Sequence, residues 1–225
     1  MPHWPQAVLC TSGLAAEARI ARAAGFSVVV GAGDRERTAN LVERAVLGAN
    51  CLVSFGIAGA LAPHLRPGDV ILSAEVVGAH CRWCGEDGFR RRVGELALGL
   101  GAIAGPVLGA AAILATEAKK RQAWQETGAL AVDLESDVVA GIAARAGIPF
   151  LVVRAIADAA YRELPPAALI PLSLKGRPRL ASVFASVMRQ PWQITPLIAL
   201  ARETRLALAA LAEPARALHG LVAAA

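Results

Sequence analysis

Aromatic side chains are scarce in this sequence, at 4% of 225 residues with a single tyrosine, so large rings cannot fill its interior. Charge is scarce too, at 18% against 56% apolar residues, a balance that excludes a disordered chain. Four cysteines, Cys10, Cys51, Cys81 and Cys84, are too few to staple a domain of this length. The one C-x-x-C, Cys81 to Cys84 after His80, lacks the second ligand pair that structural zinc requires, so no metal is expected. Cys10 and Cys51 fall in apolar runs and read as small core residues. The start, Met1-Pro2-His3-Trp4-Pro5, has neither the basic nor the apolar region of a secretory leader, and a cytoplasmic location is expected. One uncharged stretch reaches membrane length, residues 96–116. Gly99, Gly101, Gly105, Pro106 and Gly109 interrupt it, so it reads as a helix end, a turn and a buried strand.

The formal charge of +5 is confined to one end. Residues 1–160 balance 15 Lys and Arg against 15 Asp and Glu, whereas residues 161–225 set eight basic side chains against Glu163, Glu203 and Glu213. Those arginines are spread through an apolar segment without a basic cluster, which argues against a nucleic-acid partner. An anionic surface such as the inner face of a membrane stays open.

Alanine is abundant, at 50 residues, so the core must be built from small and aliphatic side chains in closely approaching elements. Apolar runs of strand length, at 7–11, 27–30, 51–55, 70–77, 107–114, 130–134 and 149–156, alternate with helical periods at 14–24, 35–47, 89–98, 118–126 and 136–146. That alternation predicts an α/β sandwich with a largely buried sheet. Beyond Tyr161 the pattern changes to Arg- and Leu-bearing helical stretches with breaks at Pro171, Pro178, Pro191 and Pro196. One domain over 1–225 is predicted, with 161–225 an apolar, basic helical extension.

Ligands on such folds gather where strands end, which singles out Glu17, Gly56–Gly59, Glu135 and Asp158. Glu135 follows Ala131-Val132-Asp133-Leu134 at a strand-to-helix junction. There a carboxylate accepts hydrogen bonds from paired hydroxyls, as on a ribose, or merely complements the helix dipole. Asp158 ends the apolar run Phe150–Ala157. Desolvation at such a place raises a carboxyl above its reference of about 3.9, which suits a proton donor, while a turn-capping Asp is the alternative.

Taken together, Val132-Asp133-Leu134-Glu135-Ser136 and Val153-Arg154-Ala155-Ile156-Ala157-Asp158 resemble the nucleoside phosphorylase and nucleosidase superfamily. Its purine nucleoside phosphorylases and methylthioadenosine/S-adenosylhomocysteine nucleosidases carry V-E-M-E-S/A and R-A-I-S-D. Gly13-Leu14-Ala15-Ala16-Glu17 is similar to the early acidic motif of the nucleosidases. Phe55-Gly56-Ile57-Ala58-Gly59-Ala60-Leu61 is similar to their glycine loop, and Pro67-Gly68-Asp69-Val70 to the entry of the next strand. The resemblance implies a three-layer α/β/α sandwich with a mixed central sheet, a homo-oligomer, and no resident cofactor. It implies Asp158 as the acid that protonates N7 of a departing purine and Glu17 as the organiser of the attacking water. Glu135 would hold the ribose hydroxyls, with Leu134 against the sugar and Phe55, Gly56, Ile57, Ala58 and Gly59 forming the substrate loop. An acid at the base and carboxylates around a cationic sugar favour the oxocarbenium-like transition state. Three positions depart from the pattern: Ala157 replaces a Ser, Leu134 a Met, and Ile57 a Ser or Thr.

The nucleophile stays open at this point. Where uridine-type phosphorylases place phosphate-binding arginines, this chain has Glu17 and Ser54, which favours water. Against that, Gly31-Ala32-Gly33-Asp34-Arg35-Glu36-Arg37-Thr38 is a glycine turn opening a helix. Gly33, Arg35 and Thr38 are therefore candidates for binding inorganic phosphate as a co-substrate, or an ordinary turn with surface charges. Residues 158–169, Lys175-Gly176-Arg177, Arg189-Gln190-Pro191-Trp192-Gln193 and Val53–Gly59 are similar to the hopanoid-associated phosphorylase family. That resemblance implies adenine release from adenosylhopane, an adenine nucleoside with an apolar tail, and peripheral membrane contact through 161–225. The alternatives are a nucleosidase for methylthioadenosine, S-adenosylhomocysteine or futalosine, and a non-catalytic nucleoside-binding module.

Overall fold

The structure, a computed structural model, describes residues 7–223, with side chains to 219. The Met1–Pro5 start and the last two residues of the 161–225 extension lie outside the described residues. In chain order the elements are β1 (Val8–Ser12), α1 (Ala15–Ala23), β2 (Ser27–Val30), α2 (Arg35–Ala45), β3 (Cys51–Ala60), β4 (Val70–Ser73), β5 (Glu75–Val77), β6 (Arg82–Cys84) and α3 (Asp87–Gly99). Then come β7 (Ile103–Ala104), β8 (Val107–Gly109), α4 (Glu117–Thr127), β9 (Ala131–Asp133), α5 (Ser136–Ala146) and β10 (Phe150–Asp158). Three helices close the chain: α6 (Leu180–Arg189), α7 (Ile194–Ala210) and α8 (Ala212–Ala223).

The ten strands form one mixed sheet ordered β6-β5-β8-β9-β3-β10-β4-β7, with β1 on β3 and β2 on β1. β3 and β10 run side by side and parallel at its centre, and all nine residues of β10 are buried. This explains the unbroken apolar reading of Phe150–Ile156, since a central parallel strand faces core on both sides. Helices cover both faces. Val42 of α2 and Val139, Ala140 and Ala143 of α5 join one core with Leu52 and Val152. On the other face Ala21 of α1, Val93 of α3 and Ala207, Leu211 and Ala215 of α7 and its successor meet Cys10, Val53, Phe55 and Val153. The alanines allow the close approach that the composition requires, and the architecture is the expected α/β/α sandwich.

Helix limits follow local chemistry. Asp34 caps α2 by accepting from the backbone N–H of Arg37 at 2.9 Å. Gly128 and Gly147, both at φ 67°, close α4 and α5 in the left-handed conformation that favours glycine. Pro196 starts rather than breaks a helix, because in the first turn of α7 no amide bond is lost.

Four expectations about strands need correcting. Gly56–Gly59 is not a loop: β3 continues through it to Ala60. β10 likewise extends through Ala157 and Asp158. The run 70–77 is two strands, because Ser73 Oγ bonds both the N–H and the C=O of Glu75 and turns the chain, sending β4 to β10 and β5 to β8. The run 107–114 is strand only to Gly109; the rest leaves the sheet as Ala110 N–H donates to Asp133 O. Two strands, β6 and β7, have no counterpart in the sequence reading. β7 pairs with β4 and β6 with β5, and exposed Cys81 and Cys84 stand at β6 as free thiols. Among the described residues no helix is long and apolar enough to cross a membrane.

Candidate active site

The sheet forks at β3. Cys51–Ser54 pair with β1, Gly59 and Ala60 pair with β9, and the backbone between has no strand neighbour on that side. The first turn of α1 fills the fork. Glu17 Oε1 accepts the N–H of Ile57 at 2.8 Å, and Oε2 accepts the N–H of Leu14 at 2.7 Å. A Cβ on Gly56 would lie 2.6 Å from that carboxyl, so glycine is there for the approach of Glu17 rather than for a turn. Burial pushes Glu17 up to about 7, against the pull of its two backbone donors.

Glu135 stands at the entry to α5. Its Oε1 accepts from the N–H of Gly33 and the hydroxyl of Thr38, each at 2.9 Å, while its Oε2 has no protein donor among the described residues. Burial raises its pKa, opposed by the Thr38 bond and the charge of Arg154. These bonds correct the phosphate expectation. Gly33 and Thr38 already serve a carboxylate, and the Arg35 guanidinium grips both oxygens of Asp137 at 2.6 Å and the carbonyls of Ala110 and Leu134 at 3.2 Å. Gly33, Arg35 and Thr38 therefore do not form an open anion cradle.

Asp158 closes β10 opposite Gly59. Its Oδ2 accepts from Lys120 Nζ, which also donates to the carbonyls of Ala159 at 3.0 Å and Arg162 at 2.9 Å. Lys120 is only 1% exposed. Burial raises the Asp158 pKa and the ammonium pulls it back, with the net above the ordinary carboxyl range.

Beneath these three acids lies Arg154, buried, with Nε 2.6 Å from Asp133 Oδ2 and Nη2 2.6 Å from Ser54 Oγ and 3.1 Å from Ser136 Oγ. Asp133 Oδ1 accepts the backbone N–H groups of Glu135 and Ser136 at 2.9 and 2.8 Å, fixing the junction that aims Glu135. Burial alone would raise Asp133; Arg154 and its hydrogen bonds outweigh that and hold it below the usual range.

Glu17, Glu135, Asp158, Lys120 and Arg154 line one cavity of about 280 Å³. Ile57, Ala58, Gly59 and Leu134 also line it. Phe55 and Gly56 do not: Phe55 is buried in the core with Ala21, Val93 and Ala207, and Gly56 sits against Glu17. Apolar side chains line it as well, among them Ile113, Leu114, Leu164, Ala168, Leu172 and Leu200. Four of those six belong to the segment after Tyr161. That segment is tied down by Leu164 N–H to Ala115 O, Ala15 N–H to Gly176 O, and the Arg162–Glu203 ion pair. It is a wall of the site, not an appendage.

Lys120 is the residue that sequence reasoning missed. It lies in a charged run, Glu117-Ala118-Lys119-Lys120-Arg121, that reads as a solvated helix face. A signal was present, because Ala123, Trp124 and Thr127 share its side of the helix at i+3, i+4 and i+7.

The phosphorylase superfamily model matches residues 95–169, a span that holds Lys120, Glu135, Arg154 and Asp158 but not Glu17. No curated protein matches the chain. Among solved structures, the 5′-methylthioadenosine/S-adenosylhomocysteine nucleosidase of Neisseria meningitidis, in complex with methylthio-immucillin-A, is 15% identical with a TM-score of 0.69, covering 98% of this chain and 100% of that one. A mutant MTAN of Helicobacter pylori with 5′-methylthioadenosine in its active site gives 12%, 0.63, 92% and 96%. The futalosine hydrolase of Helicobacter pylori gives 16%, 0.59, 80% and 98%. At these identities the likeness is one of fold. The superfamily model spans a third of the chain and holds three of the residues that meet in the cavity's acid cluster, Lys120, Glu135 and Asp158.

Proposed function

We propose that this enzyme hydrolyses the N-glycosidic bond of an adenine nucleoside that carries an apolar tail, adenosylhopane being the substrate its sequence resemblance names. The observation that carries the reading is the convergence of Glu17, Glu135 and Asp158 on one cavity that apolar side chains also line. Asp158, kept protonatable by burial and tethered by Lys120, donates to N7 of the base as the C–N bond breaks. Glu135 offers Oε2 to a ribose hydroxyl while Oε1 stays on Gly33 and Thr38. Glu17, held by two backbone donors, takes a proton from the incoming water as it reaches the anomeric carbon. The carboxylates oppose the positive charge that develops on the sugar, so they bind the transition state more strongly than the ground state.

Water is favoured over phosphate because the chain's own carboxylates engage the donors that would hold an anion, Gly33, Arg35 and Thr38. A cavity of about 280 Å³ suits a nucleoside head. A polycyclic tail would run outward past Leu164, Ala168 and Leu172. The second reading, a nucleosidase for methylthioadenosine, S-adenosylhomocysteine or futalosine, draws on the solved relatives named above.

The test is adenine release from adenosylhopane and from methylthioadenosine, each with and without phosphate. Preference for the lipid nucleoside, independent of phosphate, is the expected result. Faster release from methylthioadenosine would replace the substrate, and phosphate dependence would replace the nucleophile. No release from either would leave a nucleoside-binding module.

A further inference from the structure

Helix α6 turns a row of large apolar side chains to solvent. Leu180, Phe184 and Met188, spaced i, i+4 and i+8 on one face, are 76%, 66% and 64% exposed, and no residue of the helix is buried. The side turned to the protein holds half-buried Val183, Ser186 and Val187, where Gln193 Nε2, itself buried, donates to the backbone carbonyl of Ser186 at 3.1 Å and lies 3.2 Å from its hydroxyl. Trp192, 62% exposed, continues the apolar ridge beyond the helix end. Solitary exposed apolar residues are ordinary, but a continuous ridge on a helix without a buried side marks a surface that meets a partner.

We propose that this ridge seats the protein on an anionic lipid surface, Leu180, Phe184, Met188 and Trp192 entering the interface while the arginines around them meet headgroups.

Charge selects that occupant. No Asp or Glu stands between Glu163 and Glu203, whereas Lys175, Arg177, Arg179, Arg189 and Arg202 do. All five are exposed, and none is ion-paired among the described residues. Two copies of this face brought together across a two-fold axis would set arginines against arginines, a like-charge contact that opposes self-pairing. An amphipathic helix with one apolar face and basic flanks has the composition that lies in a bilayer interface without crossing it. Docking in this pose also has a consequence for the cavity. α6 packs on the Pro166–Leu169 turn, whose Ala168 belongs to the cavity's apolar wall, so that wall would sit next to the lipid.

The experiment is vesicle flotation of the full chain, with phosphatidylcholine alone and with phosphatidylcholine mixed with phosphatidylglycerol. No nucleoside is present, so the result stands or falls apart from the reading of the active site. Expected is flotation with the mixed vesicles only, weakened by salt. Phe184→Glu with Met188→Glu should lower it at least about tenfold, and Arg177→Ala with Arg179→Ala on the order of tenfold. Both variants should unfold at the wild-type temperature, since all four side chains are solvent-exposed. The proposal is overturned by wild-type protein that stays down with anionic vesicles, or by variants that float unchanged. It is equally overturned by a dimer in light scattering that Phe184→Glu splits, which would give the ridge to a second copy.

Discussion

Replacing Glu17 by Gln separates two consequences of burying that carboxyl in the fork of the sheet. Its pKa rises from 4.5 to about 7 through burial. The folded state therefore binds its proton more tightly than the unfolded chain does. Stability from this group is fully present below about 4.5 and is lost as pH climbs to about 7, a change of about 3 kcal/mol. Gln has no proton to lose, so the variant should show no such slope. It has only one acceptor oxygen for the N–H groups of Leu14 and Ile57, however, which costs about 1–3 kcal/mol at every pH. Urea midpoints at pH 5 and pH 8 should then converge: the variant is clearly weaker at pH 5 and close to wild type, or above it, at pH 8. The same carboxyl must be charged to take a proton from water. Wild-type kcat/KM for adenine release should rise through pH 7 on its acid side, and Glu17→Gln should fall by about 10²–10⁴. Equal stability losses at both pH values, or a fully active variant at pH 8, would refute the assignment.

Three further outcomes follow from the same geometry. Lys120→Met leaves the Asp158 carboxyl and two carbonyls without their shared donor, so it should destabilise by about 3–5 kcal/mol near neutrality and less in acid, where Asp158 is neutral. Denaturant titrations at two pH values read that difference, and the alkaline limb of the rate profile should move to higher pH because the ammonium no longer holds Asp158 down. Asp158→Asn should lower kcat by about 10²–10⁴ while nucleoside binding, followed by calorimetry, persists. Gly31→Ala would place a Cβ 1.9 Å from Thr38 Oγ1 and 2.3 Å from Glu135 Oε1, so it should displace the Glu135 carboxylate, cost about 1–3 kcal/mol in thermal unfolding and, on the proposed mechanism, raise KM for the nucleoside.

Which parts of this site were legible in the chain depended on whether local chemistry or distant packing fixed them. Glu135 and Asp158 stood out because the first lies just beyond a short apolar strand, at the entry to α5, and the second ends an apolar strand. β2 and α5 were read to the residue because their bounds rest on apolar pattern and on signals such as Gly147. Gly56–Gly59 was misread because glycines mark turns in most sequences. Here they mark close approach, Gly56 to Glu17 and Gly59 to Asp158, and the residues that approach lie 39 or more positions away. Gly33, Arg35 and Thr38 were misread for the same reason: their donors have the geometry for an anion, and the anions they hold are Glu135 and Asp137 of this chain.

Lys120 shows where the chemistry outruns any local pattern. A lysine in a charged run is unremarkable until β10 delivers a carboxylate to the same buried spot, where its ammonium opposes the burial that raises the Asp158 pKa. The fork in β3 works in the same way. Because β1 leaves at Ser54 and β9 arrives only at Gly59, the amide of Ile57 has no strand partner and would be a buried donor without an acceptor. Glu17 satisfies it, and that structural bond fixes the carboxyl at the cavity floor. The group that completes the sheet is thus the one to which the proposed mechanism gives the water. Substitutions at Glu17 should therefore never separate catalysis from folding as cleanly as those at Asp158, whose loss leaves every strand bond of β3 intact.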